Sequence, residues 1–138
     1  MSGIFNDKTM TLIEKNLRFR VQRHELLVSN IANRDTPGYQ AEDLVFESAL
    51  EKALGADLPG PLKTQNAKHF NGNNTPPLET VEGQRILSGS SVVGFDGNTV
   101  DLDKEMAKLA ENQLMYNASA KMVAFQLRQL KTAIAEGR

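Results

Sequence analysis

Residues 101–137 read DLDKEMAKLAENQLMYNASAKMVAFQLRQLKTAIAEG, and this stretch decides the fold. Leu102, Leu109, Tyr116, Val123 and Leu130 form one row at seven-residue spacing, and Met106, Gln113, Ala120, Leu127 and Ile134 form the row beside it. Of these ten positions eight are apolar, which is a coiled-coil-like pattern sustained over five heptads. Asn98 or Thr99 can cap such a helix, Asp101 and Asp103 suit its positive end, and Gly137 suits its stop. From about Asp101 to Ala135 it would run roughly 50 Å, against roughly 35–40 Å for a compact globule of this length. The chain is therefore expected to be elongated. A second stripe, Met115, Ala118, Met122 and Phe125, lies off the main seam. One partner helix does not cover both stripes, so either a wider bundle face or neighbouring copies must bury the rest.

The other end of the chain has matching periodicity. From about Asp7 to Asn33, Met10, Leu17, His24 and Ile31 are seven apart, with Ile13 and Leu27 on the adjoining row. Asp35-Thr36-Pro37-Gly38-Tyr39 then breaks the helix, because proline fixes φ and glycine accepts a positive one. The expected architecture is mainly α: the two terminal helices paired as an antiparallel coiled-coil-like rod, with a loop-rich middle bulging out as a separate piece that contains short β-strands. The divisions fall at residues 1–36, 37–99 and 100–138. Within the middle, residues 41–54 suggest an amphipathic helix through Leu44, Phe46, Leu50 and Leu54, stopped by Gly55. Leu58 to Pro77 reads as a mobile loop, and Val81, Ile86-Leu87 and Val92-Val93 as short strands. The middle is set apart by composition, since residues 55–99 hold seven of the ten glycines and four of the five prolines.

The 138 residues carry 16 basic and 17 acidic side chains, so no polyanion-binding excess exists and nucleic acid is not an expected partner. No cysteine is present, which excludes disulfides, thiolate metal sites and cysteine nucleophiles. No apolar run is long enough to insert directly in a membrane, and Met1 to Lys8 lacks the basic and apolar regions of a cleaved secretory signal. Reactive chemistry is sparse. His24 falls on the apolar row of the first helix, and His69 stands in a polar stretch without a neighbouring acid. The stretch from Asp96 to Asp103 is superficially similar to a calcium loop, but its glycine is misplaced and the closing glutamate is missing. Ser90 and Ser91 lack a nucleophile-elbow frame, and the glycines flanking them lack the lysine of a phosphate loop. No catalytic, cofactor or metal site is expected, and no small-molecule substrate. Charge is locally uneven: five basic against two acidic side chains over residues 14–34, and Glu42, Asp43, Glu47 and Glu51 without a base over residues 42–51. These patches read either as solvated helix faces or as surfaces that meet between subunits.

Two segments carry a resemblance. Ser29-Asn30-Ile31-Ala32-Asn33-Arg34-Asp35-Thr36-Pro37-Gly38-Tyr39, followed by Ala41, Asp43-Leu44 and Phe46, is similar to the N-terminal motif of the bacterial flagellar basal-body rod and hook proteins, in particular those of the proximal rod. The run from Asp96 to Met106, with Ala110-Glu111-Asn112 and Tyr116 after it, resembles their C-terminal signature. The match covers residues 10–50 and 94–136 and leaves the middle unmatched. The resemblance implies a structural axial protein whose terminal helices stack into the wall of a hollow tube in the periplasm and transmit torque. It implies as partners the chain itself, other rod proteins, the rod-to-ring adapter and the type III export gate, with export lacking a cleaved signal. Asn30, Asn33, Asp35, Thr36, Pro37, Gly38 and Tyr39 would form a structural joint. The expected assembly seam is Leu17, Leu27, Ile31, Leu102, Met106, Leu109, Val123, Leu127 and Leu130. Phe46 and Leu50 fit a Phe-x-x-x-hydrophobic element that the gate would read, and equally fit ordinary helix packing. The alternative from the residues alone is a soluble helical adaptor or chaperone-like binding module; a hydrolase is the weakest reading.

Overall fold

In the computed structural model, residues 7–55, 78–88 and 95–136 are described. Helix α1 spans Asp7–Ala32, strand β1 Glu42–Val45, helix α2 Glu47–Gly55, strand β2 Gln84–Leu87 and helix α3 Leu102–Glu136. A single 3₁₀ turn, Leu78–Thr80, precedes β2. The chain is mainly helical, with two long terminal helices and one small sheet. Gly137, Leu58 to Pro77 and Val92-Val93 lie outside the described residues.

α1 stops where the turn chemistry requires it. The amide of Asn33 donates back to Ser29 O at 3.1 Å and that of Thr36 to Asn33 O at 3.0 Å, after which Gly38 takes φ +71°. A side chain there would be strained by backbone conformation alone, since no atom lies within 4 Å of the Cβ position. α3 starts at a different cap from the one expected. Asp101 Oδ1 accepts the amide of Lys104 at 3.2 Å and is the N-cap; Asn98 and Thr99 are spent on other partners described below. The Lys104 ammonium and amide hold the Asp101 carboxyl below its ordinary range.

Residues 41–54 are not one helix. Glu42–Val45 pairs antiparallel with β2, with Asp43 opposite Ile86 and Leu44 opposite Arg85, and the helix begins only after Phe46. The physical reason is a change of period. Leu44 and Phe46 are two apart, as in a strand, whereas Phe46 and Leu50 are four apart, as on a helix; Phe46 belongs to both patterns. Ala53 faces inward and Leu54 is exposed, so the helix face is rotated from the expected one. Of the expected strands, Ile86-Leu87 is in β2, while Val81 is buried in the coil ahead of it.

The described middle does not stand apart from the helices. Phe19 of α1 stacks on Phe46 with ring centroids 5.2 Å apart, and Leu44, Leu50, Ala53 and Val81 complete a buried cluster flanked by Leu12 and Leu26. Leu12, Phe19 and Leu26 are themselves seven apart, a second apolar row on α1. Burying these side chains at about 1.5–3 kcal/mol each makes this cluster the main apolar source of order among the described residues. Gly83 fits closely at its edge, where a Cβ would lie 3.0 Å from the Leu44 side chain.

Candidate functional site

The two sequence motifs, about sixty residues apart, fold onto each other at one end of the helix pair. The amide of Gly38 donates to Asp96 O at 2.9 Å, and that of Thr99 to Tyr39 O at 3.0 Å. Gly97 has φ +78°, and its Cβ position lies 3.6 Å from Gly38 Cα. Asn98, buried, is the fastener. Its Nδ2 reaches Asn33 O, Arg34 O and Thr36 O at 2.8–2.9 Å, so it gathers the carbonyls of the turn that follows α1. Its Oδ1 accepts the Val100 amide at 2.7 Å. Thr99 Oγ1 accepts the Ala41 amide at 2.9 Å.

Asn30 is fully buried and makes the next layer. Its Nδ2 donates to Glu42 O and to Glu105 Oε2, both at 2.7 Å, and its Oδ1 accepts from the Glu42 amide at 3.1 Å and the Tyr39 hydroxyl at 3.2 Å. One side chain thus ties α1, β1 and α3 together. Asn33 Nδ2 bonds back to Ser29 O at 2.9 Å, and its Oδ1 accepts from Thr36 Oγ1. Asp35 is exposed beside Arg34 at 3.2 Å, and Pro37 is exposed at the turn.

The basic and acidic patches meet within one chain at Arg23, while Arg18, Arg34 and Glu51 are exposed, as solvated faces would be. Arg23 grips Asp43 with two bonds of 2.7 and 2.9 Å, and Glu47 lies 3.6 Å away. Lys108 bridges Glu105 at 2.8 Å and Asp43 at 3.5 Å. Burial acts to raise the Asp43 carboxyl, but the Arg23 bonds and charge, the Leu44 amide and Lys108 outweigh it, so it sits below its ordinary range. The bond to Asp43 in turn raises Arg23. Burial lowers Arg20, which also lies 5.4 Å above the Phe46 ring.

Farther along, the contact between α1 and α3 is polar where the heptads led one to expect apolar. Asn112, 2% exposed, donates to Arg20 O at 2.8 Å and accepts from Arg20 at 3.4 Å, and Ser119 donates to Asn16 at 3.1 Å. Among the described residues no fully enclosed side-chain nitrogen or oxygen lacks a partner. The cross-links pair 30 with 105, 20 with 112 and 16 with 119, so numbers rise along one helix as they fall along the other. Glu105, Asn112, Ser119 and Gln126 are seven apart, and this polar row, like Arg20, Asp43 and Lys108, carries no apolar periodicity.

The expected seam residues are placed unevenly. Leu27 is fully buried; Leu17, Ile31, Leu102, Leu109, Val123 and Leu130 are half-buried; Met106 and Leu127 are 51% and 52% exposed. On the second stripe Met115, Met122 and Phe125 are exposed, as is Ile134. Phe46 and Leu50 lie inside the apolar cluster. His24 is half-buried in a shallow groove with Tyr116 and Asn112. Among the described residues no cluster of side chains could hold a metal ion, and no helix is long and apolar enough to cross a membrane.

No protein-family model matches the chain. It is 35% identical over 136 residues to the flagellar basal body rod protein FlgB of Escherichia coli (strain K12), covering 95% of this chain and 96% of that protein. It is 32% identical over 135 residues to the protein of that name in Yersinia enterocolitica, with the same coverage, and 36% identical over 118 residues to that of Cereibacter sphaeroides, covering 86% and 87%. An alignment running through nearly the whole of both chains takes in both clasped motifs and both long helices, and on that ground the chain belongs to the flagellar basal body rod protein FlgB family.

Proposed function

We infer that this chain is a structural subunit of the flagellar basal-body proximal rod, a non-enzymatic part that acts by packing. The observation that carries the reading, beside the relatives, is the mismatch on α3: polar Glu105 and Asn112 are buried and bonded while several large apolar side chains are exposed. Outward Met106, Met115, Met122, Phe125 and Leu127 are surfaces for neighbours in a tube wall. The helix pair, as an antiparallel coiled-coil-like rod fastened by the Asn30 and Asn98 joint, supplies a stiff element for carrying torque. The seam Leu17, Leu27, Ile31, Leu102, Met106, Leu109, Val123, Leu127 and Leu130 serves both this pairing and assembly.

The partners in this reading are further copies, other rod proteins, the rod-to-ring adapter and the type III export gate, in the periplasmic part of the basal body. If the gate reads Phe46 and Leu50, it reads the unfolded chain, since both are buried in the fold. An adaptor or chaperone-like module has no observation in its favour. The test uses Leu127→Asp, at an exposed site where the monomer's fold loses little. The variant is expected to accumulate normally yet be missing from isolated basal bodies, with swimming lost; normal swimming sinks the reading.

A further inference from the structure

The two edges of the small sheet differ. The Ser88 amide donates to Ala41 O at 2.8 Å, and bonded pairs alternate with unbonded ones from there along the ladder. Glu42 and Leu44 on β1, and Arg85 and Leu87 on β2, therefore turn their backbone groups outward. On β1 these groups find partners. The Glu42 amide and carbonyl bond to the Asn30 side chain at 3.1 and 2.7 Å, as they would to a neighbouring strand, and the Leu44 amide bonds to Asp43 Oδ1 at 2.8 Å. On β2 nothing among the described residues bonds to the outward groups of Arg85 or Leu87, and all four residues of the strand are exposed. Arg85 also lines a groove of about 330 Å³ between α1 and residues 79–85, with Phe19, Leu26, Leu44 and Val81 as its apolar part. Arg85 stands opposite Leu44 in the ladder and so shares its face of the sheet. Across the groove is Arg18 of α1. Both arginines are exposed, and neither guanidinium has a hydrogen bond or ion pair among the described residues, although Glu79 and Glu82 also line the groove. Lys15, by contrast, is spent on the Glu79 and Val81 carbonyls.

We propose that the open edge of β2 and the groove beside it receive an extended acidic segment of another protein, added to the sheet as a third strand. The incoming backbone bonds to Arg85 and Leu87, and every second side chain faces the groove. There apolar side chains meet the apolar lining, and a carboxylate between them meets Arg18 and Arg85. Charge decides the occupant. Pairing of two β2 edges from two copies would bring Arg85 toward Arg85, and like charges across a strand pair are unfavourable. The stretches of this chain outside the described residues carry a single acid, Asp57, and so do not supply an acidic strand either. The assignment does not rest on the rod reading.

The test titrates the full isotope-labelled chain with a capped peptide, Thr-Val-Thr-Asp-Thr-Val-Thr, and follows the amide resonances. Those of Arg85 and Leu87 are expected to shift, because an edge amide that gains a carbonyl partner changes its surroundings most. Replacing the aspartate of the peptide by asparagine should weaken binding about tenfold, and so should Arg18→Gln/Arg85→Gln in the protein. Both substitutions change exposed side chains, and circular dichroism checks that the variant keeps the wild-type helix content. Two further peptides test the backbone: one is N-methylated at its Val and Asp residues, the other at the alternating Thr residues. A third strand turns only one of these sets toward β2, so one peptide is expected to lose binding and the other to keep it. No binding, equal binding of both N-methylated peptides, or equal binding of the asparagine peptide overturns the proposal. So do shifts confined to residues away from β2 and the groove. If the Arg85 and Leu87 amides shift on concentrating the chain alone, with dimer in sedimentation, the edge belongs to a second copy and the proposal falls.

Discussion

The α1 surface turned toward β1 and α2 and the surface turned toward α3 obey different rules. The first is an apolar cluster of Phe19, Leu44, Phe46 and Leu50. The second is threaded with Asn16, Arg20, Asn30, Glu105 and Asn112. Apolar contact is strong and tolerant of sliding, whereas a buried hydrogen bond is modest in net energy and costly to misplace. The cluster therefore accounts for much of what makes an isolated copy fold, and the polar layer fixes the register in which the two long helices meet. Met106, Leu127 and Ile134 of the apolar rows of α3 meanwhile stay exposed.

Phe46→Ala attacks the first surface and should have the largest effect, a loss of about 3–5 kcal/mol, since it empties a fully buried ring position beside Phe19. Chemical denaturation followed by helical signal measures it. A loss below about 1 kcal/mol would deny the cluster its role. Asn30→Ala attacks the second surface. It takes the Asn30 partner from Glu105 Oε2 and from the Glu42 amide, leaving Lys108 alone on Glu105, and should cost about 2–3 kcal/mol. The comparison is sharpened by Asn112→Leu, which should cost less but let the helices slip. Spin labels on α1 and α3 would then show a broadened distance distribution where the parent shows one narrow peak.

Asp43 joins the two surfaces, and its replacement by Asn should cost about 1.5–3 kcal/mol near neutral pH, through the lost charge-assisted bonds to Arg23. Its carboxyl is depressed in the folded state, so the stability it contributes is present above its unfolded value of about 3.9 and is lost as pH falls through the lower folded value. The parent's melting temperature should drop on the acid side of about pH 4, and the Asp43→Asn curve should be flatter there. Gly38→Ala gives the smallest change, about 1 kcal/mol, from the positive φ alone.

The long helices were legible in sequence because heptads persist over many turns. α3 begins at Leu102 and α1 ends at Ala32, close to where cap and turn residues put them. The strand before α2 was hidden by Phe46, which satisfies two periods at once. The second apolar row of α1 was hidden because Leu12, Phe19 and Leu26 share their spacing with the row beside them. For the site, the motif residues could be named but not their bonds, since Asn98 answers carbonyls more than sixty positions away. The polar layer was hardest to see. A buried Asn112 or Glu105 looks like a surface residue until its partner on another helix is known. Arg23 and Asp43 illustrate the same gap, being twenty residues apart with no helical spacing to link them.

The clasp between Asn98 and the end of α1 has a consequence for timing. A polypeptide emerges from a ribosome, or from any narrow conduit, one end first. When the first helix is out, the amide that will gather the carbonyls of the turn after it is still some sixty residues behind. Until it arrives that turn has only its own short-range bonds, so it cannot be fastened in its final place before the trailing third of the chain has appeared.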